Sequence, residues 1–178
     1  GCRGNARVAL SGSTFPRINV DLVGLFVDPA AVELPTVDYS GFKAPTPSNA
    51  TNTVGFALHG FAGKLAALDL DLGNQVAYRG LVNHEAIERT DRAASGTCRI
   101  DAPALADKNF FAIALAGTRG ALTWTHGLAG GACVAVDAPE VEIGQPRYVN
   151  DQGTAQLEMP LALIPTDAGD DELKITVK

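Results

Sequence analysis

Residues Asn150 to Lys178 read NDQGTAQLEMPLALIPTDAGDDELKITVK, and their alternation decides the fold class. Asn150-Asp151-Gln152-Gly153 has the composition of a tight hairpin turn. From Ala155 to Ile164, Leu157, Met159, Leu161 and Leu163 recur at every second position. That period is the mark of a strand with one buried face. Pro165 to Asp170 interrupts it. Leu173, Ile175 and Val177 then alternate with Lys174, Thr176 and Lys178 in a last strand.

The same period recurs upstream. Val141–Val149, Ala132–Asp137 and Arg119–His126 all read as strands, the last with Leu122 and Trp124 on one face. Gly96–Ala102 carries Cys98 and Ile100 inward, and Thr53–His59 alternates Val54, Phe56 and Leu58. Leu65–Leu72 sets Leu68, Leu70 and Leu72 against Asp69 and Asp71, and Gly73-Asn74 turns the chain into Gln75–Arg79. Nearer the start, Arg7–Leu10 is a short strand and Arg17–Val27 a longer one whose apolar phase shifts after Gly24. One stretch breaks the pattern. With a cap at Asp101 or Ala102, Pro103 in the first turn and Gly117 at the end, residues 103–116 predict one well-buried flanking helix. The expected fold is therefore mainly β: a single domain over residues 1–178, an antiparallel β-barrel or β-sandwich with one helix. Between strands, Asp28 to Asn52 forms a long proline-rich loop containing Pro29, Pro35, Pro45 and Pro47. Loops of this length are usually functional, so it is expected to pack on something outside its own domain.

The 178 residues suffice for one core, and 46% hydrophobic with 19% charged residues is an ordinary globular balance. A formal net charge of −6 without any run of Lys or Arg excludes a tight nucleic-acid-binding surface. The three cysteines are far apart and unpaired in sequence, which argues against a disulfide framework or zinc site. No apolar run reaches the roughly 20 residues that a spanning helix needs. Gly1-Cys2-Arg3-Gly4 resembles neither a signal peptide nor a natural start, so the chain is expected to be a fragment or a processed protein.

Candidate chemistry is sparse. His84-Glu85 opens like a metalloprotease motif, but Glu88 stands where the second histidine belongs. Asp69-Leu70-Asp71-Leu72-Gly73-Asn74 echoes a calcium loop, yet Gly73 sits where the third oxygen ligand should be. An amphipathic strand and turn explain it better. Gly127–Gly131 lacks the Lys and Ser/Thr of a phosphate loop, and Asp170-Asp171-Glu172 reads as exposed charge before an edge strand. No nucleophile, base and orienting group come together, so neither an enzyme nor a cofactor is expected.

Several segments together resemble bacteriophage tail tube proteins. Leu70-Asp71-Leu72-Gly73-Asn74-Gln75-Val76 is similar to a strand–turn–strand of that family, followed by the helix-free stretch Ile87-Glu88-Arg89-Thr90-Asp91-Arg92. Pro165-Thr166-Asp167-Ala168-Gly169-Asp170-Asp171-Glu172-Leu173-Lys174-Ile175 is similar to the family's closing turn and final strand. Arg3-Gly4-Asn5-Ala6-Arg7 and the step Gly24-Leu25-Phe26 also fit. The resemblance implies a phage or prophage virion protein of the tail, assembled in the bacterial host cytoplasm; because such proteins commonly begin with further residues, this chain is expected to be the C-terminal part of a longer one. It implies rings, usually hexameric, stacked into a tube through which the genome passes. Its partners would be copies of itself and other tail proteins, with DNA passing unbound and no membrane involved. On that implication Asp69 and Asp71 are expected to face the lumen, where negative charge repels phosphate. Pro29, Pro35, Pro45 and Pro47 are expected in the contact between neighbouring subunits or stacked rings. Two other classes remain: a carbohydrate- or host-binding β-sandwich of a tail or baseplate, marked by clustered exposed aromatics, and a small hydrolase on a β-barrel.

Overall fold

The computed structural model describes residues 1–178 as twelve strands and one helix. In chain order these are β1 (Cys2–Ser11), β2 (Arg17–Gly24), β3 (Thr53–Leu58), β4 (Leu65–Asp71), β5 (Asn74–Leu81), β6 (His84–Arg92) and β7 (Ser95–Asp101). Then follow α1 (Phe110–Ala116), β8 (Arg119–His126), β9 (Val134–Ile143), β10 (Arg147–Asp151), β11 (Thr154–Ile164) and β12 (Lys174–Val177). The Asn150–Gly153 turn joins β10 to β11. Gln152 and Gly153 both take left-handed φ, 49° and 85°, as a tight primed turn requires.

All pairings are antiparallel, and the strands run β2-β1-β4-β7-β11-β9-β8-β3. β11 and β9 pair over only four residues, Leu161–Ile164 against Glu140–Ile143. Where they part, β10 takes the free length of β11 and β12 that of β9. The sheet thus curls into two layers that share one core and stay open between the edge strands β2 and β3. It is a half-barrel, within the class the alternation predicted.

The core is a cluster of 19 buried residues. Val8, Leu68, Leu70, Cys98, Ile100 and the β11 quartet Leu157, Met159, Leu161 and Leu163 come from one layer, and Leu58, Leu122, Trp124, Val136, Val141 and Ile143 from the other. Each fully buried aliphatic side chain contributes about 1.5–3 kcal/mol relative to exposure. Burial among them pushes the Cys98 thiol up to about 12, so it behaves as a core hydrophobe.

Three local expectations need correction. The helix starts at Phe110 rather than near 103. Ala104–Lys108 instead forms its own turn, with Asp107 N–H donating to the Ala104 carbonyl and Lys108 Nζ to the His59 carbonyl at 2.7 Å. The helix is then capped by Asn109, whose side chain accepts from Ala112 N–H at 3.0 Å, and is closed by Gly117. Only Phe110 is fully buried there, edge-on to Phe61, while Leu105 and Leu115 face solvent. Secondly, Ile87–Arg92 is more than a helix-free lead to the next strand: it lies within β6, while Gly73-Asn74 turns the chain into β5 without pairing β5 to β4. β5 and β6 pair only with each other, so 84–92 is a strand of a separate hairpin. Gly73 (φ 63°) carries this exit from the sheet; a Cβ there would meet the Ala93 carbonyl oxygen at 2.1 Å. Thirdly, Arg17–Val27 ends as a strand at Gly24, and β1 runs well beyond Arg7–Leu10.

Candidate assembly surfaces

β2 is an edge strand exposed along its whole length. Its register pairs Ile18 with the core residue Val8, so Ile18, Val20 and Leu22 point to the core side of the sheet. No second layer reaches them, and they stay 46–68% exposed. The excursion follows directly. From Leu25 to Val37 no backbone group hydrogen-bonds within the chain, and Pro29 and Pro35 lack a donor altogether. Phe26, Val27, Val32 and Leu34 are each more than 80% exposed. Of the 21 exposed large apolar residues, twelve lie between Phe15 and Phe42, against the rule that soluble monomers avoid such patches.

The far end of this arm is moored. Ser48, buried, sets its hydroxyl between the Ser11 and Thr14 carbonyls, and its backbone bonds Thr14 and Ser13 at 2.7 and 2.9 Å. Asn52 Nδ2 donates to the Pro47 carbonyl at 2.9 Å, and His126 lies between Thr46 and Thr53. The four prolines therefore divide: Pro29 and Pro35 belong to the free span, Pro45 and Pro47 to the moored one. Sequence reasoning singled out the prolines and missed the apolar residues between them, because with no period they gave no pattern to read.

Between the moored segment and the sandwich lies a groove of about 650 Å³. Its walls include Phe15, Phe42, Leu128 and Val177, with Trp124 also lining it and Arg17 and Lys43 adding positive charge. The Trp124 indole Nε1–H is buried and has no acceptor, a costly condition for a donor. Nothing in the sequence pattern announced this groove, since its walls come from six separated segments.

The outer face of β2-β1-β4-β7 is polar. By register it presents Arg3, Arg7, Arg17 and Arg99 with Asp21, Asp69, Asp71 and Asp101, four charges of each sign. Asp69 and Asp71 both lie on it, as the alternation required, but in different roles. Asp69 is exposed and makes no ion pair. Asp71 binds Asn5 Nδ2 at 2.6 Å, Gly73 N–H at 2.8 Å and Arg7 Nε at 2.8 Å. Burial alone would raise its carboxyl, but these partners outweigh it and hold the pKa below the usual value. Asp71 thus fixes the departure from β4, and much of its charge is neutralised.

The β5–β6 hairpin stands off the sheet with Leu81 and Val82 exposed at its tip. Its base is tied down by Arg92, which pairs with the buried Glu172 and, at 2.7 Å, with Asp170. The Asp170-Asp171-Glu172 run therefore works as a lock on the hairpin, and only part of it is exposed charge. The histidines are dispersed. His84 pairs with Glu88 at 3.0 Å, His126 with threonines, and His59 with the Val141 carbonyl at 2.8 Å. No helix is long and apolar enough to cross a membrane.

A rigid two-layered β body, an apolar edge and a long unpartnered arm define a structural subunit made to meet other chains. The phage tail tube protein family matches residues 1–161, and the chain belongs to that family. It is a structural component of the tail tube of the virion, which implies assembly with itself and with other tail proteins. No curated protein matches the chain.

Proposed function

We propose that copies of this chain close into rings that stack into the hollow tail tube through which the genome passes. In this reading the arm, with Pro29 and Pro35 in its free span and Pro45 and Pro47 at its mooring, is the contact between copies. The single observation that carries it is the Leu25–Val37 span, rich in exposed apolar side chains and without a backbone hydrogen bond of its own. In a lone subunit that state exposes several large apolar side chains; burying them at roughly 25 cal/mol per Å² would favour association.

The outer face of β2-β1-β4-β7, carrying Asp69 and Asp71, is proposed to line the lumen. Its equal numbers of Arg and Asp supply no net counter-charge to phosphate, which suits a conduit better than a binding surface. Asp69, like Asp21, is a free negative charge of that face, and Asp71 is its structural anchor. Electron microscopy of the purified protein and of a variant with residues 26–37 replaced by a Gly/Ser linker tests the reading. Rings or tubes are expected from the intact chain, and folded single subunits from the variant. Tubes from the variant would remove the arm from the contact.

A further inference from the structure

The arm needs a place to go, and the molecule offers one. We propose that the free span Leu25–Val37 of one copy seats in the Trp124 groove of the neighbouring copy; this rests on the assembly proposed above and names the receiving site.

Two independent properties match. The groove is largely apolar and the span brings Phe26, Val32 and Leu34, all exposed in the single subunit. The groove carries Arg17 and Lys43, neither of which pairs with a carboxylate within the chain, against a single Asp38. The span carries Asp28 and Glu33 and no cation.

The chain's own span is poorly placed for this. It must run from Gly24 back to Asp38 at the groove wall, while β2 takes the chain from Arg17 at the groove to Gly24 about 23 Å away. Bridging that distance consumes about half of the span. Too little is left to turn its apolar residues together into the groove, whereas a neighbour's span can enter lengthwise.

The test uses the whole chain with Cys2→Ser throughout, leaving Cys133, which lines the groove, as the accessible thiol. One form carries Leu34→Cys with Cys133→Ser, and the other keeps Leu34 and Cys133. Mixed, co-assembled and treated with a short bismaleimide, they are expected to give a covalent dimer of one form with the other. Charge reversal gives a second reading: Lys43→Glu is expected to raise the concentration needed for assembly several-fold. Glu33→Lys in the same chain should restore it, with the subunit's own melting temperature unchanged. Tubes that form without the dimer, or a link found only inside a chain bearing both Leu34→Cys and Cys133, would overturn the proposal and leave the assembly reading standing. A protein that stays single at every concentration would overturn both.

Discussion

At the scale of the residue, neighbouring positions of one strand carry different duties. Asp69 and Asp71 share a face, yet only Asp71 is tied to Asn5, Gly73 and Arg7. Asp71→Asn is therefore expected to lower the melting temperature, by a loss of about 1–3 kcal/mol if the charge-assisted bonds go. Asp69→Asn should leave it within error, as thermal unfolding followed by circular dichroism would show. His59 makes a second prediction. Burial pushes its pKa down, the bond to the Val141 carbonyl opposes this, and the Lys108 charge adds to the lowering. The unfolded chain takes up its proton near pH 6.5 while the folded one resists. That contribution to stability is complete above pH 6.5 and is lost as pH falls through it. A melting temperature measured from pH 8 to 5 should drop below 6.5, and His59→Gln should flatten that drop.

At the scale of the element, ends and attachments decide more than propensity. The helix has seven residues and depends on its caps. Asn109→Ala is expected to cost about 1 kcal/mol, read as a lowered denaturation midpoint. The β5–β6 hairpin depends on Arg92; Arg92→Ala leaves Glu172 buried without its partner and should destabilise by about 3–5 kcal/mol. Hydrogen exchange should then show β5 and β6 opening before the sandwich. These elements also show what the sequence could reveal. The strands of the core were legible because Leu157, Met159, Leu161 and Leu163, or Leu68 and Leu70, alternate against water on one side. Strand β6 was not, because Ala86 and Ile87 are its only apolar residues and repeat at no period. The helix start was misread because Pro103 gives a local signal, whereas the competing turn is set by the distant contact from Lys108 to His59.

At the scale of the whole molecule, the family was legible in scattered turns, and the assembly surfaces were not. Arm, groove and open edge are formed by segments distant in sequence, and sequence periodicity records burial within one chain only. The balanced outer face predicts that the assembled protein does not retain duplex DNA in a gel-shift measurement at physiological salt, with no steep salt dependence at lower salt. Strong retention would exclude this face as the lining. The free span also has a mechanical meaning. From Leu25 to Val37 it is thirteen residues long and stiffened by two prolines, so it stretches to about 40 Å at roughly 3.1 Å per residue. A tether of that length sets an upper limit on the spacing between linked copies. It would let a flexing tail open and close gaps between subunits on its outer curve without letting any of them come free.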